Sequence, residues 1–106
     1  SNISIVIANI IQNGIESSMN NETPEVLISL DEDDENLYFD VEDNGKGVEC
    51  VDKIFEKNFS TKGEGRGYGL FNVKIALEKL EGKIDVGKSE IIGGAKFSVT
   101  IPKVMV

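Results

Sequence analysis

Residues 57–81 read KNFSTKGEGRGYGLFNVKIALEKLE, a glycine-rich segment that runs directly into an amphipathic pattern. Four glycines stand at alternate positions in it, namely Gly63, Gly65, Gly67 and Gly69. From Leu70 onward apolar residues recur at helical spacing, which predicts a helix over 70–81 with Gly82 as its stop. Glycines let backbone N–H groups approach a ligand, and a helix N-terminus adds unpaired donors that favour phosphate. The stretch therefore predicts an anion site for a polyphosphate.

The spacing of these glycines excludes two common phosphate-binding fingerprints. No G-x-x-x-x-G-K-[ST] is present, so the segment is not a Walker A loop. A dinucleotide-binding G-x-G-x-x-G would need glycine where Tyr68 or Leu70 stands. Lys57, Lys62 and Arg66 supply positive charge within the segment. The alternative interpretation from these residues is a flexible surface loop.

A second polar motif, Asp43-Asn44-Gly45-Lys46-Gly47, ends a predicted strand over 37–42. A carboxylate at a strand end can accept a hydrogen bond from an exocyclic amine. The glycines let the backbone pass close to a flat base. The motif therefore describes an adenine pocket, with an Asn-Gly hairpin turn as the alternative.

A third motif is the pair Asn9 and Asn13, four residues apart on a predicted helix over 3–19. This spacing places both amides on one face of the helix. An amide oxygen is a neutral, hard ligand that suits Mg²⁺, which often shares its coordination with substrate phosphates. Two ordinary surface amides are the alternative.

The remaining segments predict a small α/β domain. Strands are predicted at 26–30, 37–42, 83–86 and 96–101, with a short helix at 51–56 and a turn at Gly93-Gly94. The acidic run 31–36 alternates like a calcium loop, but its sixth position is Asn36 instead of glycine. We therefore predict a solvated hairpin turn there.

Composition limits the classes of function. The chain has 106 residues, enough for one domain, and 40% of them are hydrophobic, enough for a packed core. The net charge is −8, which disfavours nucleic-acid binding. Residues 1–52 hold thirteen acidic side chains and one basic, whereas residues 53–106 hold ten basic and six acidic. An anionic ligand should therefore meet the second half.

Two residue types are informative by their scarcity. The single cysteine, Cys50, excludes an internal disulfide and fits a reducing compartment. The sequence contains no histidine, so the chain can supply neither a histidine-dependent catalytic triad nor a histidine-ligated zinc site. The sequence contains no apolar run of about 18 residues typical of a membrane span. It also lacks the basic flank of a signal peptide at its start.

Taken in order, these motifs resemble the GHKL superfamily of ATP-binding domains, which includes gyrase, the ninety-kilodalton heat-shock chaperone, mismatch-repair ATPases and sensor histidine kinases. The sequence is most similar to the catalytic and ATP-binding domain of a sensor histidine kinase. The matching stretches are NIIQNGIE at 9–16 (N box), DNGKG at 43–47 (G1 box), IFEKNFSTK at 54–62 (F box), GRGYGL at 65–70 (G2 box) and GGAKFSVTIP at 93–102 (terminal strand). RGYGLFNVK is most similar to the citrate-sensor and quorum-sensing branches.

The resemblance implies a fold and a set of nucleotide contacts. The fold is a two-layer α/β sandwich of the Bergerat type, with a mixed, mainly antiparallel sheet covered by helices on one face. By position, Asp43 takes the adenine amino group, Asn13 ligates Mg²⁺ and Asn9 lies beside the phosphates. The other implied nucleotide contacts are Gly45 and Gly47 around the base, Lys62 and Arg66 in a lid, and Gly65, Gly67, Gly69 and Leu70 at the glycine loop. Phe55 and Phe59 are expected to anchor the lid to the core.

The resemblance also implies an activity, with MgATP donating its γ-phosphoryl group to a histidine. Because this chain has no histidine, the acceptor is expected in a separate dimerisation domain, and the chain alone should not autophosphorylate. The implied partners are that domain and a response regulator, without nucleic acid. The implied location is the cytoplasmic side of a membrane-bound sensor. The chain is expected to be a monomer and the full-length protein a homodimer.

Two positions depart from the pattern of the superfamily. Glu16 stands where many histidine kinases have a basic residue, which leaves one phosphate contact to the cations of the lid. Asn9 stands where hydrolytic members have a glutamate that activates water, and an amide cannot accept that proton. The sequence therefore favours phosphoryl transfer over hydrolysis. Two alternatives remain, namely an anti-sigma-factor serine kinase and a non-catalytic nucleotide-binding regulatory module.

Overall fold

The computed structural model describes residues 1–48, 53–56 and 69–106. Its elements are α1 (Asn2–Ser18), β1 (Val26–Glu32), β2 (Asn36–Asp43), α2 (Gly69–Lys79), β3 (Lys83–Lys88), β4 (Ala95–Pro102) and a closing 3-10 turn (Lys103–Met105). The four strands form one sheet in the order β1-β2-β4-β3. This confirms the predicted α/β class and the positions of the four predicted strands. Every strand pair in the described part of the chain is antiparallel, so the parallel component of the expected mixed sheet does not occur there.

The hydrophobic core lies between the helices and one face of the sheet. Strand β4 shows why, because its residues alternate strictly between buried and half-buried positions. One cluster unites the buried side chains of the two layers, namely Val6 and Ile10 of α1, Val73, Ala76 and Leu77 of α2, Phe39 and Val41 of β2, and Ala95, Phe97, Val99 and Ile101 of β4. Burial of each large aliphatic or aromatic member contributes about 1.5–3 kcal/mol. Aliphatic side chains thus build most of this core.

Helix α1 is positioned by its own pattern. Ser1 caps its start, where the Oγ accepts a hydrogen bond from Ser4 N at 3.2 Å. A four-residue repeat is buried against the sheet, comprising Val6, Ile10, Gly14 and Ser18. This orientation leaves Asn9 and Asn13 half-buried on one flank of the helix, as their shared spacing predicted.

The end of α2 differs from the prediction. The helix stops at Lys79, and Glu81 takes the left-handed conformation with φ 53°. Gly82 N then donates to Leu77 O at 2.9 Å, which satisfies a terminal carbonyl. A Cβ added at Gly82 would lie 3.0 Å from Thr100 O. Glycine at position 82 therefore serves close packing on the sheet, and the turn itself falls on Glu81.

Residues 53–56 form a turn in which Glu56 N donates to Lys53 O at 3.0 Å. The helix predicted at 51–56 is thus a turn over its described part. Ile54 is buried and Phe55 packs against the core cluster. The lid that Phe55 is expected to anchor lies outside the described residues. Phe59 lies outside the described residues.

The acidic connection between β1 and β2 is the predicted hairpin turn. Asp33 Oδ1 accepts hydrogen bonds from Glu35 N at 2.9 Å and Asn36 N at 2.7 Å. The Tyr38 hydroxyl donates to Asp33 Oδ2 at 2.5 Å. Both oxygens of the Asp33 carboxylate therefore accept hydrogen bonds that hold the hairpin turn together.

These bonds predict an acid dependence of stability. The Tyr38 hydroxyl and the N–H groups of Asn36 and Glu35 hold the pKa of Asp33 below its ordinary value of 3.8. The stabilisation is therefore complete above the unfolded-state pKa and is lost as pH falls through the lowered folded-state pKa. We expect the urea midpoint of wild type to exceed that of Asp33→Asn by a constant margin at neutral pH. That margin should shrink below pH 3.8. A margin unchanged at strongly acid pH would contradict this assignment.

Candidate functional site

Asp43, the last residue of β2, is the centre of the candidate site. Its side chain is nearly enclosed, with 1% of its surface exposed. Its Oδ1 accepts three hydrogen bonds, from Ser17 Oγ at 3.2 Å, Gly45 N at 2.9 Å and Ala95 N at 3.3 Å. Its Oδ2 is buried and has no partner among the described residues. In the described part of the chain, one oxygen of this carboxylate thus has three donors and the other has none.

A buried carboxylate oxygen without a hydrogen-bond partner is uncommon, and it marks a position where a ligand can bind. Buried polar atoms in folded proteins nearly always have a hydrogen-bond partner, because an unpaired one costs about 1–3 kcal/mol. Asp43 Oδ2 can only accept when the carboxylate is ionised. The site therefore fits a ligand that brings an N–H donor into this pocket, as the exocyclic amine of adenine does.

Two glycines permit the close packing around Asp43. A Cβ added at Gly94 would lie 2.3 Å from Asp43 Oδ1 and 2.6 Å from Gly45 N. A Cβ added at Gly45 would lie 2.2 Å from Ser17 Oγ and 2.5 Å from Ser17 O. The backbone N–H of Gly94 also donates to Asp43 O at 3.0 Å. Gly45 was predicted as part of the pocket, whereas Gly94 was predicted only as part of a turn.

Gly47 lies farther from the carboxylate. It has φ 84° and no atom within 4 Å of an added Cβ, so it serves the backbone turn. An open cavity of about 290 Å³ borders it, lined by Lys46, Gly47, Val48, Gly87, Lys88, Gly93 and Gly94. The G1 box and the β3–β4 turn thus form opposite walls of this cavity.

The structure brings Asn9 to the start of α2. Asn9 Nδ2 donates to Ile5 O at 2.8 Å, which fixes the amide on the helix. An added Cβ at Gly69, the first residue of α2, would lie 3.3 Å from Asn9 Oδ1. Asn13 and Ser17 follow at intervals of four residues along the same flank. Asn9, Asn13 and Ser17 therefore form a row of polar side chains from the N-terminus of α2 to Asp43.

The other predicted contacts divide into two groups. Leu70 is half-buried and packs against the core cluster, so it seats the start of α2. The second group lies outside the described residues, namely Lys62, Gly65, Arg66 and Gly67.

Asn44 is a structural residue of the site that the sequence reasoning did not single out. Its Nδ2 donates to Thr23 O at 2.8 Å, and its Oδ1 accepts from Glu25 N at 3.0 Å. Asn21 Nδ2 donates to Asn44 O at 3.0 Å. The loop between α1 and β1 is thereby tied to the strand end that carries Asp43. The D-N-G motif draws attention to Asn44, but its hydrogen-bond partners lie about twenty residues earlier in the sequence, so the motif alone does not predict them.

Glu42 and Ser89 form a second polar contact that was missed. Both are buried, at 6% and 0% exposure, and Ser89 Oγ donates to Glu42 Oε1 at 2.9 Å. Ser89 Oγ also accepts from Ile92 N at 3.1 Å. Asp43 O and Oδ1 meanwhile accept from Gly94 N and Ala95 N. The β3–β4 turn is therefore held against two successive acidic residues of β2.

The described residues contain no group of three or more His, Cys, Asp or Glu side chains that could hold a metal ion. Across the same part of the chain, no helix has the length and apolarity required to cross a bilayer.

Comparisons with known proteins agree with this architecture. A family model described as "Histidine kinase-, DNA gyrase B-, and HSP90-like ATPase" matches residues 1–105. The sensor protein CitS of Bacillus subtilis is 37% identical over 105 residues, which cover 97% of this chain and 19% of CitS. The chain therefore spans about a fifth of that relative.

Solved structures give the same result. The catalytic domain of the histidine kinase ThkA, in a nucleotide-free form, superposes with a TM-score of 0.81 at 28% identity, covering 96% of this chain and 66% of that one. Full-length ShkA in complex with AMPPNP superposes with a TM-score of 0.78 at 27% identity, covering 95% of this chain and 21% of that one. The chain belongs to the histidine kinase-, gyrase B- and HSP90-like ATPase family. Within it, the chain is an ATP-binding catalytic domain of the sensor histidine kinase type.

Proposed function

We propose that this domain binds MgATP and donates the γ-phosphoryl group to a histidine in a separate dimerisation domain of a sensor histidine kinase. The observation that carries the proposal is the buried Oδ2 of Asp43, which has no partner among the described residues and lies at one end of a polar row. The other end of that row reaches the N-terminus of α2. A ligand with an amine at one end and phosphates at the other matches this arrangement.

The adenine amino group donates to Asp43 Oδ2 in this proposal. Gly45 and Gly94 have no side chain that could stand between the base and the end of β2. Neither position has room for one, because an added Cβ would lie 2.2 Å from Ser17 Oγ at Gly45 and 2.3 Å from Asp43 Oδ1 at Gly94. Gly47 supplies the turn that follows. These contacts select an adenine because guanine presents a carbonyl oxygen where adenine presents its amine.

The phosphates lie toward the start of α2. The N–H groups at Gly69 and Leu70 are terminal donors of a helix and favour an anion. Asn9 lies beside this helix start, and Asn13 lies one turn closer to Asp43. Asn13 would hold Mg²⁺ through its amide oxygen, and the ion would neutralise phosphate charge. We assign the remaining phosphate contacts to Lys62, Gly65, Arg66 and Gly67.

The reaction is a transfer and not a hydrolysis. A histidine imidazole nitrogen forms a bond to the γ-phosphorus while the bond to the β,γ-bridging oxygen breaks, and ADP leaves. Asn9 cannot accept a proton from water, which disfavours hydrolysis. Glu16, at the position that is often basic, accepts a hydrogen bond from Gln12 Nε2 at 2.9 Å and adds no positive charge.

The partners follow from this chemistry. This chain has no histidine, so the phosphoacceptor lies on the dimerisation domain, and a response regulator receives the phosphoryl group afterwards. We place the domain on the cytoplasmic side of a membrane-bound sensor, with the chain monomeric and the full-length protein a homodimer. The named relatives are sensor kinases, which disfavours the anti-sigma-factor serine kinase.

Calorimetric titration of the chain with ATP, with and without Mg²⁺, tests the proposal. We expect saturable binding of one nucleotide, strengthened by Mg²⁺. Labelled ATP should leave no covalent phosphate on the chain alone, and should label histidine in the full-length protein. A folded sample without saturable binding would overturn nucleotide binding, and a covalently labelled chain would overturn the proposed acceptor. Binding without histidine labelling in the full-length protein would instead support the regulatory module.

A further inference from the structure

We infer that Ser17 is a positioning residue that fixes the orientation of the Asp43 carboxylate, so that one of its two oxygens faces the adenine amino group. The inference rests on the proposed binding of ATP. It adds Ser17 of α1, which is not among the nucleotide-contacting residues predicted from the sequence motifs. Ser17 is half-buried, near the end of α1, and its Oγ lies 3.2 Å from Asp43 Oδ1. Among the described residues, no other side chain donates a hydrogen bond to this carboxylate, and its two other donors are backbone N–H groups.

The distribution of donors around Asp43 is strongly unequal. Oδ1 receives the Ser17 hydroxyl and two backbone N–H groups, whereas Oδ2 receives nothing from the described chain. A partial rotation of the carboxylate about its Cβ–Cγ bond would therefore break these three hydrogen bonds, whereas a half-turn only exchanges two equivalent oxygens. This asymmetry keeps Oδ1 engaged and presents Oδ2 to the ligand. A preorganised acceptor avoids the cost of ordering the group when the ligand binds.

Ser17 is itself held in place by the packing of α1 on the G1 box. The position of an added Cβ at Gly45 lies 2.2 Å from Ser17 Oγ and 2.5 Å from Ser17 O. The hydroxyl thus sits in a narrow space between the end of the helix and the turn after Asp43. Replacement of Ser17 by alanine removes one of three donors and opens space beside the carboxylate.

The test separates positioning of the amine acceptor from a general structural effect. We would measure the affinities of ATP and of purine riboside triphosphate, which lacks the 6-amino group, for wild type and Ser17→Ala by calorimetry. We expect Ser17→Ala to weaken ATP about five-fold, the typical effect of one hydrogen bond. Purine riboside triphosphate cannot use Oδ2, so its affinity should stay unchanged. The ratio of the two affinities in one sample does not depend on the folded fraction.

Ser18→Ala is the matched control. Ser18 is also buried at the end of α1, but its hydroxyl donates to Ile15 O at 2.9 Å and does not bond to Asp43. Its substitution should leave the ratio of affinities at the wild-type value. An equal loss for both nucleotides in Ser17→Ala, or no loss for ATP, would overturn the role of Ser17 while leaving ATP binding intact. Absence of ATP binding in wild type would overturn the proposed function together with this inference.

Discussion

Asp43→Asn should reduce ATP affinity by about 100-fold or more, because a site built around one hydrogen bond rejects a mismatched group strongly. The amide has one acceptor and one donor where the carboxylate has two acceptors. With its nitrogen at the Oδ2 position it would face the adenine amine. With its nitrogen at the Oδ1 position it would face the N–H groups of Gly45 and Ala95. Either orientation sets donors against donors.

Calorimetric titration with MgATP measures this loss, and circular dichroism checks that the variant is folded. Asp40→Asn is the matched control, since it removes one negative charge from the same strand three residues earlier. Asp40 is half-buried and is paired in register with Ser29 and Ser98, away from the candidate site. Its substitution should leave ATP affinity unchanged. An Asp43→Asn variant that binds ATP as tightly as Asp40→Asn would refute the assigned role of Asp43.

Gly94→Ala should both destabilise the domain and abolish ATP binding. The added methyl group would lie 2.3 Å from Asp43 Oδ1, 2.4 Å from Asp43 O and 2.6 Å from Gly45 N. Two of these atoms are backbone and the third is pinned by three donors, so none can yield as a flexible side chain could. We expect a loss of about 3 kcal/mol in the free energy of unfolding, the upper range for overpacking. Urea denaturation measures it.

Gly87→Ala is the control for that substitution. Gly87 lies on β3, close along the chain to the same turn, and no atom lies within 4 Å of an added Cβ. Its free energy of unfolding should change by less than about 0.5 kcal/mol, as for most surface substitutions. Equal stabilities of the two variants would show that the contacts of Gly94 do not constrain the strand end.

Much of the fold follows from local pattern. Alternation in the stretch Ala95–Pro102 and the four-residue repeat in Asn2–Ser18 are properties of neighbouring residues, so the strand and the helix were predictable. Boundaries were less predictable, because they depend on contacts from elsewhere. Helix α2 ends at Lys79, and the left-handed turn falls on Glu81 while Gly82 packs closely against Thr100. No local signal identifies that contact.

The candidate site shows the same division. Asp43 and Gly45 were predicted because a short motif carries them, and Asn9 and Asn13 because helical spacing aligns them. Ser17 was missed because serine near a helix end has many ordinary roles, and its partner lies 26 residues away. Gly94 was predicted as part of a turn before the terminal strand. Its contact with Asp43 was not predicted, because the two residues lie 51 positions apart in the sequence. Periodic patterns of neighbouring residues do not reveal contacts between positions this far apart in the sequence.

The amino-acid sequence by itself determined the elements of this protein and the chemical types at its site, because both depend on residues close in the chain. The tertiary structure alone decided which groups meet. It placed donors from Ser17, Gly45 and Ala95 on one oxygen of Asp43, and within residues 1–48, 53–56 and 69–106 it placed none on the other. It also placed the start of α2 beside Asn9. Such meetings depend on how helices and strands pack across the whole chain, and packing is a property of the complete fold.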